Sequence, residues 1–336
     1  MKCTLRAMFG FLYMCSVCGS AYAIISKGMQ YFSPITIIAL RMFFGFLGCL
    51  VVLIFRIMRK NHKETNLKQF LYPGAWPVVH IVISGLSYQG VGHTMIAFSQ
   101  KWVSSAMVQV VFALIPVLAA VTAHTTLPDE KCNSQLSISL VFSVIGVVFS
   151  TYPSLSHPSK VVDSSHIVLG YVLIFLSVFI WGISTAYMKV KTVSYDLMVV
   201  STYQLFSSAI FCCVFALIYD GPKSFISQCR NAPLMGWLSP VFVGVFASGL
   251  LMPVVHTIIK EIGSVGSNFG VFGQIIVGMI VGSLWLHEWD KYTKWDVISS
   301  IFGVLLIGMG IFSGFSPENE QIDDEPLISS VSHDNE

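Results

Sequence analysis

The sequence has little charge. Of its 336 residues only 11% are charged and 54% are hydrophobic, and the mean hydropathy is +0.74. A soluble domain normally carries about 25% charged residues. Because so few polar groups cannot cover a globular surface, the composition excludes an ordinary soluble domain and predicts an outer surface that faces lipid. The basic residues gather in one loop and no nucleic-acid-binding motif is present, so nucleic acid is not an expected partner.

Signatures of catalysis and of bound cofactors are also missing. There is no G-x-S-x-G, no H-E-x-x-H and no P-loop. Glu130 and Glu288 each close an apolar run and are interpreted as loop carboxylates rather than an acid/base pair. Cys15 and Cys18 form a C-x-x-C inside an apolar run, where small packing residues are the preferred interpretation. We therefore expect no catalytic residue, no metal site, no cofactor and no enzymatic activity.

The sequence does contain long hydrophobic runs. A helix needs about 20 apolar residues to cross a bilayer, and continuous rather than alternating runs favour helices over strands. The expected fold is therefore all-α and integral to the membrane. It has ten transmembrane helices, at 6–26, 34–56, 74–97, 104–126, 135–152, 166–188, 196–219, 236–258, 266–286 and 295–315. The first run also fits a signal peptide ending near Ala23, but a retained helix is preferred because the run is long enough to span the bilayer.

The two halves of the chain carry the same landmarks at nearly the same spacing. Lys27 and Lys189 are 162 residues apart, and Glu130 and Glu288 are 158 apart. A third pair of segments is offset by 157: Ser143–Val147 and Ser300–Val304. We interpret the chain as two five-helix repeats at 1–152 and 166–315, with a linker at 153–165 and a tail at 316–336. Duplicated membrane halves are typical of secondary transporters, because two half-units can rock about a site between them.

Lysine and arginine residues in the loops predict the orientation of the chain in the membrane. Basic residues between the second and third predicted spans place that loop in the cytosol: Arg56, Arg59, Lys60, Lys63 and Lys68. Both termini then lie in the cytosol. An odd number of spans in each half inverts the second repeat relative to the first.

Arg41 is the only charged residue well inside a predicted span, since the Asp residues within the ten spans, Asp196 and Asp296, lie at the first or second position of theirs. A charge at bilayer depth costs about 2.5–3.5 kcal/mol on insertion scales, so it usually has a function. One interpretation is that a carboxylate or phosphate of a substrate pairs with Arg41. The alternative is that Arg41 bonds backbone carbonyls at a broken helix end or extends to the interface.

Other polar residues inside the spans are candidates for the same site. Each needs a hydrogen-bond partner in a lipid setting and should therefore face inward. The substrate-binding candidates besides Arg41 are Gln109, Trp181, Tyr203, Gln204, Asn268 and Gln274. His93 and His256 lie in equivalent spans and are proton-coupling candidates, with packing histidines as the alternative. Tyr203 takes the place of Arg41 in the second half, which predicts an asymmetric site.

The tail at 316–336 is polar and acidic and is expected to be disordered and cytosolic. Within it, Asp323, Leu327 and Ile328 form an acidic dileucine pattern of the kind that clathrin adaptor complexes read. If the motif is used, it predicts an endosomal, lysosomal or vacuolar membrane. Without it, the plasma membrane is the expected location.

Together these features resemble the drug/metabolite transporter superfamily, in particular its EamA-type members. The resemblance covers about residues 6–315 and rests on Gly19…Lys27, Trp181-Gly182…Lys189, Arg41 after Pro34, and Ser104-Ser105-Ala106…Pro116…Glu130. The second repeat departs from the family pattern at Gln274, where a proline is usual, and at Tyr203. The resemblance implies a ten-helix fold with inverted repeats and a central cavity reached alternately from each side.

The preferred hypothesis is a secondary transporter or exporter of a small organic metabolite, an amino-acid-like zwitterion or an organic anion, that works by alternating access. A nucleotide-sugar or other solute exchanger of the same superfamily is a narrower alternative. A non-transporting scaffold or sorting protein acting through the tail is an alternative of another class, and an integral-membrane enzyme is a third. The expected partners are the lipid bilayer, a small-molecule substrate and adaptor complexes.

Overall fold

The computed structural model describes residues 5–59, 70–100, 102–103, 105–128, 130, 132–156, 166–285 and 292–315. All the regular elements in these ranges are helical. In chain order the α-helices are α1 (Leu5–Gly28), α2 (Pro34–Arg59), α3 (Ala75–Gly85), α4 (Gly92–Ser99), α5 (Ser105–Phe112), α6 (Ile115–Thr126), α7 (Ser134–Ser156), α8 (Ile167–Lys191), α9 (Leu197–Tyr219), α10 (Pro222–Asn231), α11 (Leu234–Gly244), α12 (Leu251–Asn268), α13 (Gly270–Trp285) and α14 (Lys294–Phe315). Two π-helical segments, Leu86–Val91 and Val245–Leu250, join α3 to α4 and α11 to α12.

The described helices are long and apolar enough for a membrane protein. Seven helical stretches in the described ranges meet the length and hydropathy of a membrane span, and shorter apolar helices lie at Val110–Thr126 and Gly270–Val281. Large apolar side chains such as Phe55, Leu284 and Phe312 point outward and are exposed. This distribution suits a bundle whose outer surface contacts lipid, as the composition predicts.

Local sequence signals explain where several helices begin. Pro34 is the first residue of α2, a position where the missing N–H has no helical partner to lose. Asp196 caps α9, because its carboxylate accepts hydrogen bonds from the backbone N–H groups of Met198 (3.0 Å) and Val199 (3.3 Å). Pro116 lies in the first turn of α6, just after the break that separates α5 from α6.

Polar side-chain contacts link helices α2 and α9, one from each half of the chain, near both of their ends. At one end Arg56 pairs with the Asp196 carboxylate at 2.9 Å. At the other end Asp220 accepts hydrogen bonds from the hydroxyls of Ser33 and Thr36. The two contacts hold this pair of helices in one register.

Helices α7 and α14 pack closely along a seam of small residues. A Cβ atom added at Gly303 would overlap the backbone of Ser150, and one at Gly146 would overlap the backbone of Gly303. Ser139 donates a hydrogen bond to the carbonyl of Gly310 at 2.5 Å. Small residues let helix backbones approach closely in membranes, so this seam is a second tight contact between the halves. Helix α7 also continues to Ser156, past the predicted span end at 152.

Candidate functional site

The two π-helical segments occupy equivalent places in the two halves. Leu86–Val91 and Val245–Leu250 begin 159 residues apart, close to the spacing of the other repeated landmarks. A π-helical turn holds one extra residue, which weakens the regular backbone hydrogen bonding, and such turns are frequent at functional sites. The structure therefore places one irregular turn from each repeat inside the bundle.

Arg41 is held by the second of these segments. Its side chain is buried in α2, its Nε donates to the Ser248 hydroxyl at 2.9 Å and its Nη2 donates to the Ala247 carbonyl at 3.2 Å. A charge from the first repeat is thus fixed in place by neutral groups of the second repeat. The contact with Ala247 is the backbone-carbonyl bond anticipated as the alternative interpretation of Arg41. These two acceptors orient the guanidinium.

An aromatic cluster surrounds the first π-helical segment. The indole Nε1 of Trp181 donates to the carbonyl of Tyr88 at 2.6 Å. The Trp181 ring lies 5.0 Å from the ring of His93, 5.2 Å from that of Phe112 and 6.0 Å from that of Tyr88, measured between centroids. Tyr88, His93 and Trp181 keep accessible surface even though they lie in the middle of apolar helices.

Arg41 and this aromatic cluster belong to one site. Tyr88 packs against the apolar cluster that includes Leu40 and Met42, the two residues that flank Arg41 in α2. We call Arg41, Tyr88, His93, Phe112 and Trp181 the Arg41 site. It joins a fixed positive charge to aromatic faces and edges, a combination that suits an organic substrate with an anionic group.

Two buried amide oxygens next to this site lack hydrogen-bond partners. Gln89, in the first π-helical segment, and Gln204, in α9, each bury an Oε1 atom without a partner, although Gln204 also donates to the Ser84 hydroxyl at 2.8 Å. Leaving a buried acceptor unsatisfied costs about 1–3 kcal/mol. Gln89 follows Tyr88 in the first π-helical segment, and its backbone carbonyl lies 3.1 Å from Nδ1 of His93.

The two candidate histidines are bonded in the same way. Nδ1 of His93 lies 3.1 Å from the carbonyl of Gln89, and Nδ1 of His256 lies 2.9 Å from the carbonyl of Met252. A carbonyl only accepts, so Nδ1 carries the proton in each ring and Nε2 holds a lone pair in the neutral form. Nε2 of His256 is buried without a partner.

Comparison with known proteins identifies the family. The model of the EamA-like transporter family matches residues 5–152 and 168–313. The chain belongs to this family. The uncharacterized transporter YoaV of Bacillus subtilis (strain 168) is 21% identical over 307 residues, which cover 91% of this chain and 96% of that protein. A solved crystal structure superposes with a TM-score of 0.69 at 15% identity over 93% of this chain and 99% of that one, which shows a shared fold.

The EamA-like match confirms the resemblance drawn from the sequence. The chain is a multi-pass integral membrane transporter of the drug/metabolite transporter superfamily. Its helices carry the two-repeat EamA architecture, with all described regular structure helical.

The structure brings together some of the residues predicted from the sequence of this EamA-like transporter. Arg41, His93 and Trp181 meet in the Arg41 site, and Gln204 lies beside Ser84, one turn before the first π-helical segment. These contacts join α2, α4, α8 and α9. The sequence therefore identified four of the groups that lie at or next to the site.

The other predicted residues lie outside the Arg41 site or outside the described part of the chain. Asn268 donates to the Thr185 hydroxyl at 2.9 Å and to the Ser264 carbonyl at 2.8 Å, so it ties α12 to α8. His256 is buried in α12, and Tyr203 and Gln274 are half-buried. The side chain of Gln109 and the tail residues Asp323, Leu327 and Ile328 lie outside the described part of the chain.

Sequence reasoning missed the two π-helical segments and the residues in them. A signal was present: Gly85 precedes the first segment and Gly90 lies near its end, and Gly244 and Gly249 have the same positions relative to the second segment. Both pairs are 159 residues apart. Ser248, the hydroxyl that binds Arg41, is the repeat counterpart of Gln89 and could have been found from this spacing.

Proposed function

We propose that this EamA-like protein is a secondary transporter that moves a small zwitterionic or anionic organic metabolite by alternating access, through ten spans arranged as two inverted repeats. The observation that carries the proposal is Arg41, a buried cation in α2 oriented by the Ser248 hydroxyl and the Ala247 carbonyl. In alternating access the two repeats move about a bound substrate, so the substrate site must lie between them. Arg41 lies at such a position, because its partners belong to the other repeat.

The chemistry of the site suggests a pose for such a substrate. A carboxylate pairs with the Arg41 guanidinium, which forms strong charge-assisted hydrogen bonds with planar anions. An ammonium or hydroxyl group donates to the unpaired oxygen of Gln89. The Trp181 ring covers the organic part. His93 and His256, each with a lone pair on Nε2 in the neutral form, remain the candidates for proton coupling.

Counterflow in liposomes tests this proposal. Purified protein is reconstituted, and exchange of labelled amino acids, organic anions and nucleotide sugars is followed with and without a pH gradient. Arg41→Gln is run beside the wild type, with Arg59→Gln as the matched control because Arg59 is an exposed arginine in the same helix.

Saturable exchange of an amino acid or organic anion that is lost in Arg41→Gln and kept in Arg59→Gln supports the proposal. Exchange of nucleotide sugars alone favours the narrower alternative within the superfamily. Normal exchange by Arg41→Gln contradicts the role of Arg41 as the anion-binding group.

The orientation and the target membrane are part of the proposal. The basic residues of the loop after α2 favour an orientation with both termini in the cytosol, where clathrin adaptor complexes would read Asp323, Leu327 and Ile328. A fluorescent fusion is expected to reach an endosomal, lysosomal or vacuolar membrane and to move to the plasma membrane when Leu327 and Ile328 are both replaced by Ala. Unchanged localisation contradicts the sorting motif without touching the transport proposal.

A further inference from the structure

Glu130 binds three residues of the opposite repeat at one end of the bundle. We propose that Glu130, Lys189, Ser264 and Val265, here called the Glu130 latch, hold that end of the transport path closed and must separate for the substrate to pass. The inference rests on the proposed alternating-access function. It adds to that proposal the residues that form one of its gates.

The contacts of the latch are short and cross between the repeats. Glu130 follows α6 in the first repeat, and its Oε1 lies 2.6 Å from Nζ of Lys189 in α8 of the second repeat. The same carboxylate accepts from the Ser264 N–H at 2.8 Å, the Ser264 hydroxyl at 2.5 Å and the Val265 N–H at 3.2 Å. The side chains of Lys189 and Glu130 are 20% and 12% exposed. One carboxylate therefore holds two helices of the other repeat.

Gly263 shapes the backbone to receive this carboxylate. Its φ of 87° breaks α12 just before Ser264, and a Cβ atom at this position would overlap the carboxylate of Glu130. The break starts a new helical stretch, whose first N–H groups have no intrahelical acceptors. The carboxylate supplies acceptors for two of them and lies at the positive end of the new helical dipole.

Lys27 in α1 is the repeat counterpart of Lys189 in α8, and its side chain is exposed. Glu288, the repeat counterpart of Glu130, lies outside the described residues. The structure therefore describes the latch at the Glu130 end of the bundle.

Other contacts between the repeats allow the latch to open without dissociation of the halves. Helices α2 and α9 are tied through Arg56 and Asp196 at one end and through Asp220 at the other. Helices α7 and α14 share their seam of small residues. These two pairs provide fixed contacts about which α6, α8 and α12 can move, which is what opening at the Glu130 end requires.

The native Cys18 provides a reporter for this opening. It is half-buried in α1 and packs against the same apolar cluster as Tyr88 of the Arg41 site. In a background where the other cysteines are replaced by Ala, its labelling by a membrane-impermeant maleimide is timed in liposomes. A second background keeps only Cys132, which lies beside the latch and outside the helices. The fraction of Cys132 labelled from outside the liposome gives the fraction of molecules whose Glu130 end faces the external solution.

Glu130→Gln and Lys189→Gln are compared with Lys27→Gln, the same substitution at the repeat counterpart. From the Glu130 end, the two latch variants are expected to label Cys18 at least about tenfold faster than the parent, because the loss of one charge-assisted hydrogen bond shifts an equilibrium by about that factor. Lys27→Gln is expected to label at the parent rate from that end.

Parent-rate labelling in both latch variants, with melting curves that show folded protein, overturns the inference. Fast labelling of the parent from the Glu130 end also overturns it, because the end would then be open with the latch intact. Two different substitutions keep the test valid if one variant fails to fold. Labelling requires no substrate, so its result does not depend on the transport assay. If no tested substrate is exchanged, the proposed function is contradicted, and the labelling rates alone decide whether the latch closes the Glu130 end.

Discussion

Replacement of Arg41 by Lys and by Gln separates its charge from its geometry. Arg41 uses two nitrogens, Nε and Nη2, to reach Ser248 and Ala247. Lysine keeps the charge but has one nitrogen on a flexible stem, so it cannot reproduce both bonds or the planar face toward a carboxylate. Glutamine removes the charge while keeping a polar side chain.

The contacts of Arg41, together with typical free energies for such contacts, give the expected loss of kcat/KM for each substitution. Removal of one partner from a buried charge pair costs about 3–5 kcal/mol, so Arg41→Gln is expected to lower kcat/KM for an anionic substrate by about 100-fold to about 5,000-fold. Arg41→Lys loses the geometry of one charge-assisted hydrogen bond, about 1.5–3 kcal/mol, and is expected to lower kcat/KM by about 10-fold to about 100-fold.

The expected effect on stability is much smaller. Arg41→Gln gives up two hydrogen bonds to neutral groups, each worth about 1.5–3 kcal/mol. It also removes the insertion cost of a charge at bilayer depth, about 2.5–3.5 kcal/mol. These contributions oppose each other, so the free energy of unfolding is expected to fall by at most about 3.5 kcal/mol.

Counterflow kinetics and thermal unfolding in detergent, measured on the same preparations, check both expectations. A large loss of transport in folded Arg41→Gln, with an intermediate loss in Arg41→Lys, fits the reasoning. If Arg41→Lys and Arg41→Gln retain full transport but unfold at much lower temperature, Arg41 is a structural anchor of the second π-helical segment and the reasoning is refuted.

Four other substitutions test particular contacts. Gly263→Ala should lower the thermal unfolding midpoint, because an L-residue in the left-handed region costs about 1–2 kcal/mol and its Cβ overlaps the neighbouring carboxylate; an unchanged midpoint contradicts this. Gln89→Met removes a buried unpaired oxygen and should stabilise the fold by about 1–3 kcal/mol while raising KM for a zwitterion about tenfold. Ser143→Ala, which removes an unpaired hydroxyl in α7, should leave KM unchanged, and equal KM values in both variants argue against substrate contact by Gln89. Gly303→Val should lower the free energy of unfolding by at least about 1–3 kcal/mol, because the added side chain overlaps the backbone of Ser150 across the α7–α14 seam. Thermal unfolding measures this loss, and KM measured by counterflow should not change.

Much of the architecture could be predicted from local sequence properties. The apolar runs predicted some helices to within a few residues, as for Pro34–Arg59 and Leu197–Tyr219, but not α10 or the breaks that divide 74–97, 104–126 and 236–258. The spacing of Lys27 and Lys189 revealed the repeat, which the family match at 5–152 and 168–313 supports. Hydropathy works here because a chain in lipid must satisfy its backbone hydrogen bonds within each helix.

The site was predicted only in part. Arg41 was identified because a charge in an apolar run is unusual, and Trp181 because it lies deep in a span. Their partners were not identified, since hydrogen bonding by Ser248 and Tyr88 depends on how the helices face one another. The π-helical turns were also missed, because a single extra residue in a turn does not alter the apolar run that contains it.

The sequence by itself determined an all-helical membrane chain in two repeats with one unusual buried charge, because hydrophobicity and charge are properties of each segment taken alone. Only the tertiary structure decided which groups meet that charge. It brought Ser248 to Arg41 across 207 residues and Ser264 to Glu130 across 134. Such contacts are set by the rotation and crossing of every helix in the bundle, and these follow from packing among all the helices together.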